Sequence, residues 1–133
     1  MDAVVASGKR KRAIARAVIK AGKGKVKINK KPLDIYTPEL AKIRILEPLM
    51  LAGDIASKVD INVNVIGGGW SSQAEASRLA IASALVKYTK SEELKQTYLS
   101  YDRNLLVADT RRKETRKPGT HSKARAKRQK SYR

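Results

Sequence analysis

The clearest pattern in the chain lies at residues 59–65, where Val59, Ile61, Val63 and Val65 alternate with Asp60, Asn62 and Asn64. Period-two alternation sends successive side chains to opposite faces of an extended backbone, so this segment predicts a strand with one buried and one wet face. Residues 12–20 repeat the pattern with smaller side chains. Ala13, Ala15, Ala17 and Ile19 share one face, and Arg12, Ile14, Arg16, Val18 and Lys20 the other. Gly22-Lys23-Gly24 then supplies a permissive backbone for a reversal into Val26-Lys27-Ile28-Asn29, which predicts an N-terminal hairpin of these two strands.

Helical spacing takes over at Thr37-Pro38, a helix start with proline at the first helical position. Residues 39–47 continue in helix formers until Pro48, where a kink or break is expected. Gly67-Gly68-Gly69 turns the chain after the strand, and Ser72 with Glu75 three residues on has the spacing of a capping box. It would open a helix to about Tyr88 whose apolar side holds Leu79, Ile81, Ala82, Leu85, Val86 and Tyr88. A shorter helix follows over 92–99, started by Thr89 or Ser91, and Leu105-Leu106-Val107 is the last apolar stretch. These elements predict one α+β domain over residues 1–109, a small mixed sheet covered on one face by helices. From 110 to 133 the chain reads as an extended basic tail. Residues 111–133 contain no Leu, Ile, Val or Phe, and Pro118-Gly119 interrupts any helix, so the tail has nothing to bury and is expected to be disordered until bound.

Charge changes the picture most. The formal net charge is +18, and residues 1–31 and 111–133 each carry +10, leaving the middle of the chain at −2. A near-neutral body between two cationic ends suits a polyanion, because each Lys or Arg set on a phosphate releases condensed counterions. Anionic membrane fits less well than nucleic acid, since neither end shows a helix with bulky apolar anchors and no apolar run approaches the ~18 residues of a span. With no cysteine and a single histidine, His121, thiolate and histidine metal sites are excluded. No Asp/Glu cluster stands near a plausible base, and neither G-x-x-x-x-G-K-[ST] nor G-x-G-x-x-G occurs, so no catalytic constellation, cofactor site or small-molecule substrate is expected. Without a signal segment the expected compartment is the cytoplasm.

Candidate RNA contacts are Lys9, Arg10, Lys11, Arg12 and Arg16 near one end, and Arg111, Arg112, Lys113, Arg116, Lys117, Arg125, Lys127 and Arg128 near the other. The basic runs 9–12 and 111–113 also have the form of nuclear-import signals. Gly67, Gly68 and Gly69 serve either as a phosphate cradle or as a tight strand-to-helix turn, and the two roles are compatible. Arg78 falls in the apolar arc of its helix, where its head either snorkels to water or reaches a phosphate. Trp70 either stacks on a base or plugs the turn, the plug being the commoner use of such a residue.

Several stretches together resemble one family over nearly the whole chain. They are Ser7-Gly-Lys-Arg-Lys-Arg-Ala-Ile-Ala-Arg-Ala17, Gly22-Lys-Gly-Lys-Val-Lys-Ile-Asn29, Glu47-Pro-Leu49, Val65-Ile-Gly-Gly-Gly69, Gln73-Ala74 and Arg78-Leu-Ala-Ile-Ala82. Beyond these stand Tyr101-Asp-Arg103, Asp109-Thr-Arg-Arg-Lys-Glu114, Ala124-Arg125 and Gln129-Lys-Ser-Tyr-Arg133. The family is the ninth protein of the small ribosomal subunit, of archaeal and eukaryotic type. The resemblance implies a fold like that of the second domain of ribosomal protein S-five, with a left-handed β-α-β crossover, seated in the head of the small subunit. It implies a non-enzymatic role binding small-subunit ribosomal RNA and neighbouring head proteins, with the tail running to the anticodon stem of P-site transfer RNA. Carried over by motif, Lys130 and Arg133 are the transfer-RNA contacts, and residues 7–12, Arg16 and 111–113 touch ribosomal RNA. Lys117-Pro118-Gly119-Thr120-His121 departs from the more basic, glycine-richer stretch of that family. A DNA-compacting protein or an RNA-processing subunit would share the charge, though the apolar wedge or paired arms of the former are not visible.

Overall fold

The computed structural model describes residues 2–126. In chain order its elements are β1 (Val4–Arg10), β2 (Ala13–Ala21), β3 (Val26–Ile28), β4 (Lys31–Pro32), a 3-10 turn (Leu33–Ile35), α1 (Glu39–Ala52), α2 (Asp54–Ser57) and β5 (Val59–Ile66). These are followed by α3 (Trp70–Thr89), α4 (Glu92–Tyr101) and a second 3-10 turn (Arg103–Leu105). The five strands form one sheet in the order β1-β2-β5-β3-β4. It is mixed: β3 and β5 run parallel, joined through α1, and the other neighbours are antiparallel. The α+β architecture expected from the sequence is the one observed.

The alternation of residues 59–65 sets the layers. Val59, Ile61, Val63 and Val65 are buried and Asn62 and Asn64 exposed, so β5 turns one face inward and one to water. α3 covers the inner face across β1, β2 and β5, with α1 packed beside it. The helix rides close because both surfaces are built of small residues: Ala13, Ala15 and Ala17 on β2 and Ala76, Ala80 and Ala84 on α3 are fully buried. Gly8 on β1 takes this to its limit, since a Cβ there would stand 2.4 Å from the Ala76 carbonyl oxygen.

A hairpin forms at the N-terminus, but between other strands than expected. β2 pairs with β1, from Val4↔Ile19 to Arg10↔Ala13, and β5 inserts between β2 and β3. Gly22-Lys23-Gly24 reverses the chain as expected, since β2 runs antiparallel and β3 parallel to β5, but it does so around the start of β5. Gly22 N–H donates to the Lys58 carbonyl at 2.9 Å, and Gly24 N–H to that of Val59 at 3.1 Å. The Asp60 carboxylate accepts the backbone N–H groups of Lys25 (3.0 Å) and Lys23 (2.9 Å), which hold its pKa below the usual value.

The helix ends also differ. α1 runs through Pro48 to Ala52 rather than breaking there. The ring is buried, and the Pro48 carbonyl accepts the Tyr98 hydroxyl of α4 at 2.7 Å, so tertiary packing offsets the lost N–H. α3 starts at Trp70 with Gly69 as its cap and no side-chain cap bond, so the Ser72–Glu75 capping box does not form; Glu75 turns to two arginines instead. Ser91, not Thr89, caps α4, its hydroxyl accepting Leu94 N–H at 3.3 Å. Leu105 is the last buried residue, and from there to 126 no helix or strand follows.

Candidate nucleic-acid interface

The β1–β2 turn is made by Lys11 and Arg12, with Lys11 in the left-handed region at φ 53°. It abuts the turn that leaves β5. Gly67 (φ 77°) and Gly68 (φ 69°) need glycine's freedom, and their lack of a side chain lets the hairpin in. A Cβ on Gly67 would lie 2.5 Å from the Arg12 carbonyl oxygen, and one on Gly68 3.2 Å from Ala13 N. The root of the tail passes the same corner. A groove of about 700 Å³ is lined by Arg10, Lys11 and Arg12 from the hairpin, Gly68, Gly69 and Ser72 from the turn, and Arg111, Arg112 and Lys113 from the tail. Two basic runs a hundred residues apart in sequence thus meet at one glycine-lined corner.

Carboxylates fix the walls of this groove. Arg10 Nε donates to Glu75 at 2.8 Å, and its guanidinium also lies 3.5 Å from Asp109. Glu75 is shared with Arg44 at 3.3 Å, and Arg44 donates to Ser71 Oγ at 2.9 Å. Asp109 accepts the Arg111 side chain at 2.6 Å and the Arg111 backbone N–H at 3.0 Å. The Arg111 guanidinium foremost, then its backbone N–H and the charge of Arg10, hold the Asp109 carboxyl far below the usual carboxylate range. A depressed pKa means the contact is complete above the ordinary carboxylate value and is lost as pH falls below it. Asp109 therefore clamps the tail root to β1 at neutral pH. Lys11, Arg12 and Lys113 make no ion pair among the described residues, and Arg112 donates only to the backbone carbonyls of Asp109 (3.3 Å) and Arg111 (3.0 Å). Four cations are left facing solvent without a counter-charge.

The other candidates are dispersed. Lys9 is exposed on β1, and Arg16 stands on the wet sheet face in a cross-strand row with Ser7 and Asn64. Arg78 does not snorkel to water. Its side chain is 13% exposed and its guanidinium bonds Glu47 and, at 3.2 Å, Asp102, joining α3 to α1 and to the end of α4. Arg116 and Lys117 lie exposed in a stretch of tail that doubles back. There Arg125 Nε donates to Glu114 at 2.9 Å, Lys117 N–H reaches the Lys123 carbonyl at 3.3 Å, and the Thr120 hydroxyl sits between the Lys117 and Lys123 carbonyls. Trp70 is 47% exposed. Lys127, Arg128, Lys130 and Arg133 lie outside the described residues.

Glu47, Glu75, Asp102 and Asp109 organise the corner, and sequence reasoning passed over all four roles. Two left a local signal: Asp102 and Asp109 each accept the backbone N–H two residues on, the Asx-turn habit of aspartate. Among the described residues no cluster of three His, Asp or Glu side chains could hold a metal ion, and no helix is long and apolar enough to cross a membrane.

Residues 8–133 match the family model described as Ribosomal protein S9/S16. Small ribosomal subunit protein uS9 from two strains of Methanococcus maripaludis is 52% identical over 134 residues, spanning the whole of both chains. The same protein from a third strain is 51% identical over the same span.

Proposed function

The chain belongs to the ribosomal protein S9/S16 family, and from that membership we propose that it grips small-subunit ribosomal RNA through the groove where its two basic ends meet. It is a structural, non-enzymatic protein of the small ribosomal subunit, and so part of the cytoplasmic translation machinery. The observation that carries the RNA reading is the convergence of Lys11, Arg12, Arg112 and Lys113, none neutralised by a carboxylate among the described residues, at an exposed glycine turn. Unpaired cations gathered at one corner are what a phosphate requires, and the fold brings them together before the RNA arrives. Arg10 and Arg111 frame the groove while paired to acids, and Arg78 holds the helices behind it. Lys9 and Arg16 extend the footprint across the wet sheet face. Arg116, Lys117 and Arg125 carry it into the tail, followed by Lys127 and Arg128.

In this reading residues 1–109 are the body seated in the subunit head among neighbouring proteins, and residues 110–133 are the tail. The tail's last cations, Lys130 and Arg133, meet P-site transfer RNA. The groove is tested by changing Lys11, Arg12, Arg112 and Lys113 to Gln and measuring affinity for small-subunit RNA against salt. Each phosphate contact contributes roughly 0.7–0.9 to the slope of log affinity on log salt, so losing four should flatten it by about 3. An unchanged slope and affinity in a variant with wild-type circular dichroism would remove the groove from the interface.

A further inference from the structure

We propose that Trp70 is a stacking platform for one unpaired RNA base at the rim of this groove. The inference rests on the RNA reading above and adds a contact that charge alone cannot make. Trp70 is the only tryptophan in the chain and opens α3 between two residues that line the groove, Gly69 and Ser72. Its side chain is 47% exposed, and its indole N–H has no hydrogen-bond partner among the described residues.

Gly67 packs against the Arg12 carbonyl, and Gly68 against Ala13 and the Ser72 Cβ. The large aromatic ring of Trp70 is held at a helix terminus, half in water, one and two residues from the groove-lining Gly69 and Ser72. Every base has a π-face, so stacking on such a ring is tolerant of sequence, and a nucleotide brings phosphate and base together. The uncompensated charges of Lys11, Arg12, Arg112 and Lys113 favour this partner over an apolar protein surface, which would have to desolvate them without pairing them.

The lone indole is its own reporter. The full-length protein is titrated with a short oligoadenylate and, separately, with inorganic polyphosphate, which offers charge without bases; binding is followed by calorimetry and Trp70 by its fluorescence. Oligoadenylate should quench the fluorescence strongly, whereas polyphosphate should bind and leave it nearly unchanged. Trp70→Ala should weaken oligoadenylate about tenfold and Trp70→Phe by less, with polyphosphate affinity unaltered in both. Oligoadenylate binding with undiminished fluorescence, and equal affinity for Trp70→Ala, would overturn the stacking role while leaving the RNA reading intact. Failure of both ligands to bind would bring down the RNA reading and this one with it. Unchanged RNA affinity for Trp70→Ala together with poorer incorporation into small subunits would mean that the indole meets a protein, which also overturns the proposal.

Discussion

Val63 and Asn64 are adjacent in β5 and live in different solvents. Val63 is 3% exposed under α3, while Asn64 points to water directly across from Arg16. Val63→Asp should lower stability by about 3–5 kcal/mol in urea unfolding, because it buries an unpaired charge. Asn64→Asp should change it by less than about 0.5 kcal/mol, the new carboxylate facing a guanidinium across the strand pair. Equal losses would mean the register is wrong. This partition was legible in the sequence because period two is a local property. The acidic residues were not. Glu75 has the spacing of a capping residue relative to Ser72, yet it pairs with Arg10, 65 positions away. Arg78 likewise finds Glu47 on α1 and Asp102 just beyond α4. An ion pair's partner is chosen by tertiary structure, and no local spacing rule reaches that far.

At the scale of elements, the contact between β1 and α3 decides how closely helix and sheet approach. Gly8→Ala would force its Cβ against the Ala76 carbonyl oxygen and, at 2.8 Å, Ala80 N, both backbone atoms of a helix that cannot yield locally. It should cost about 1–3 kcal/mol, read as a lower urea midpoint with an unchanged slope. A neutral substitution would show that α3 does not lie this close. β1 itself was hard to read. Val4 and Val5 are its only strong strand formers, and Gly8 with Lys9 and Arg10 argue against a strand. Pairing with β2 on one side and cover from α3 decide its conformation. The helices were more legible, since α1 has a proline start followed by helix formers, α3 an apolar side and α4 a serine cap. Their ends moved where packing overrode a local signal, at Pro48 through the bond from Tyr98 and at Ser72 through the loss of Glu75 to arginines.

For the whole molecule, charge sits toward the ends of the sequence, and folding brings two inner basic runs, residues 10–12 and 111–113, to one corner. An unbroken 23-residue tail would span roughly 75 Å at ~3.3 Å per residue. With Lys117 and Lys123 bonded across the doubled-back segment, the same chain reaches roughly 55 Å even if the rest is fully extended. That still allows the last cations to act far from the body. Deleting residues 130–133 should leave incorporation into small subunits intact and weaken P-site transfer-RNA binding by about 1–3 kcal/mol, the scale of a few charge-assisted hydrogen bonds. Failed incorporation would make the terminus an assembly anchor instead. If residues 10–12 and 111–113 form one RNA site, the cysteine-free sequence allows a direct test. Lys11→Cys and Lys113→Cys proteins, each carrying a tethered iron chelate and assembled into small subunits, would cleave the RNA nearest the label with hydroxyl radicals. Overlapping cleavage on one RNA segment is predicted, and cleavage on separate segments would contradict a shared groove.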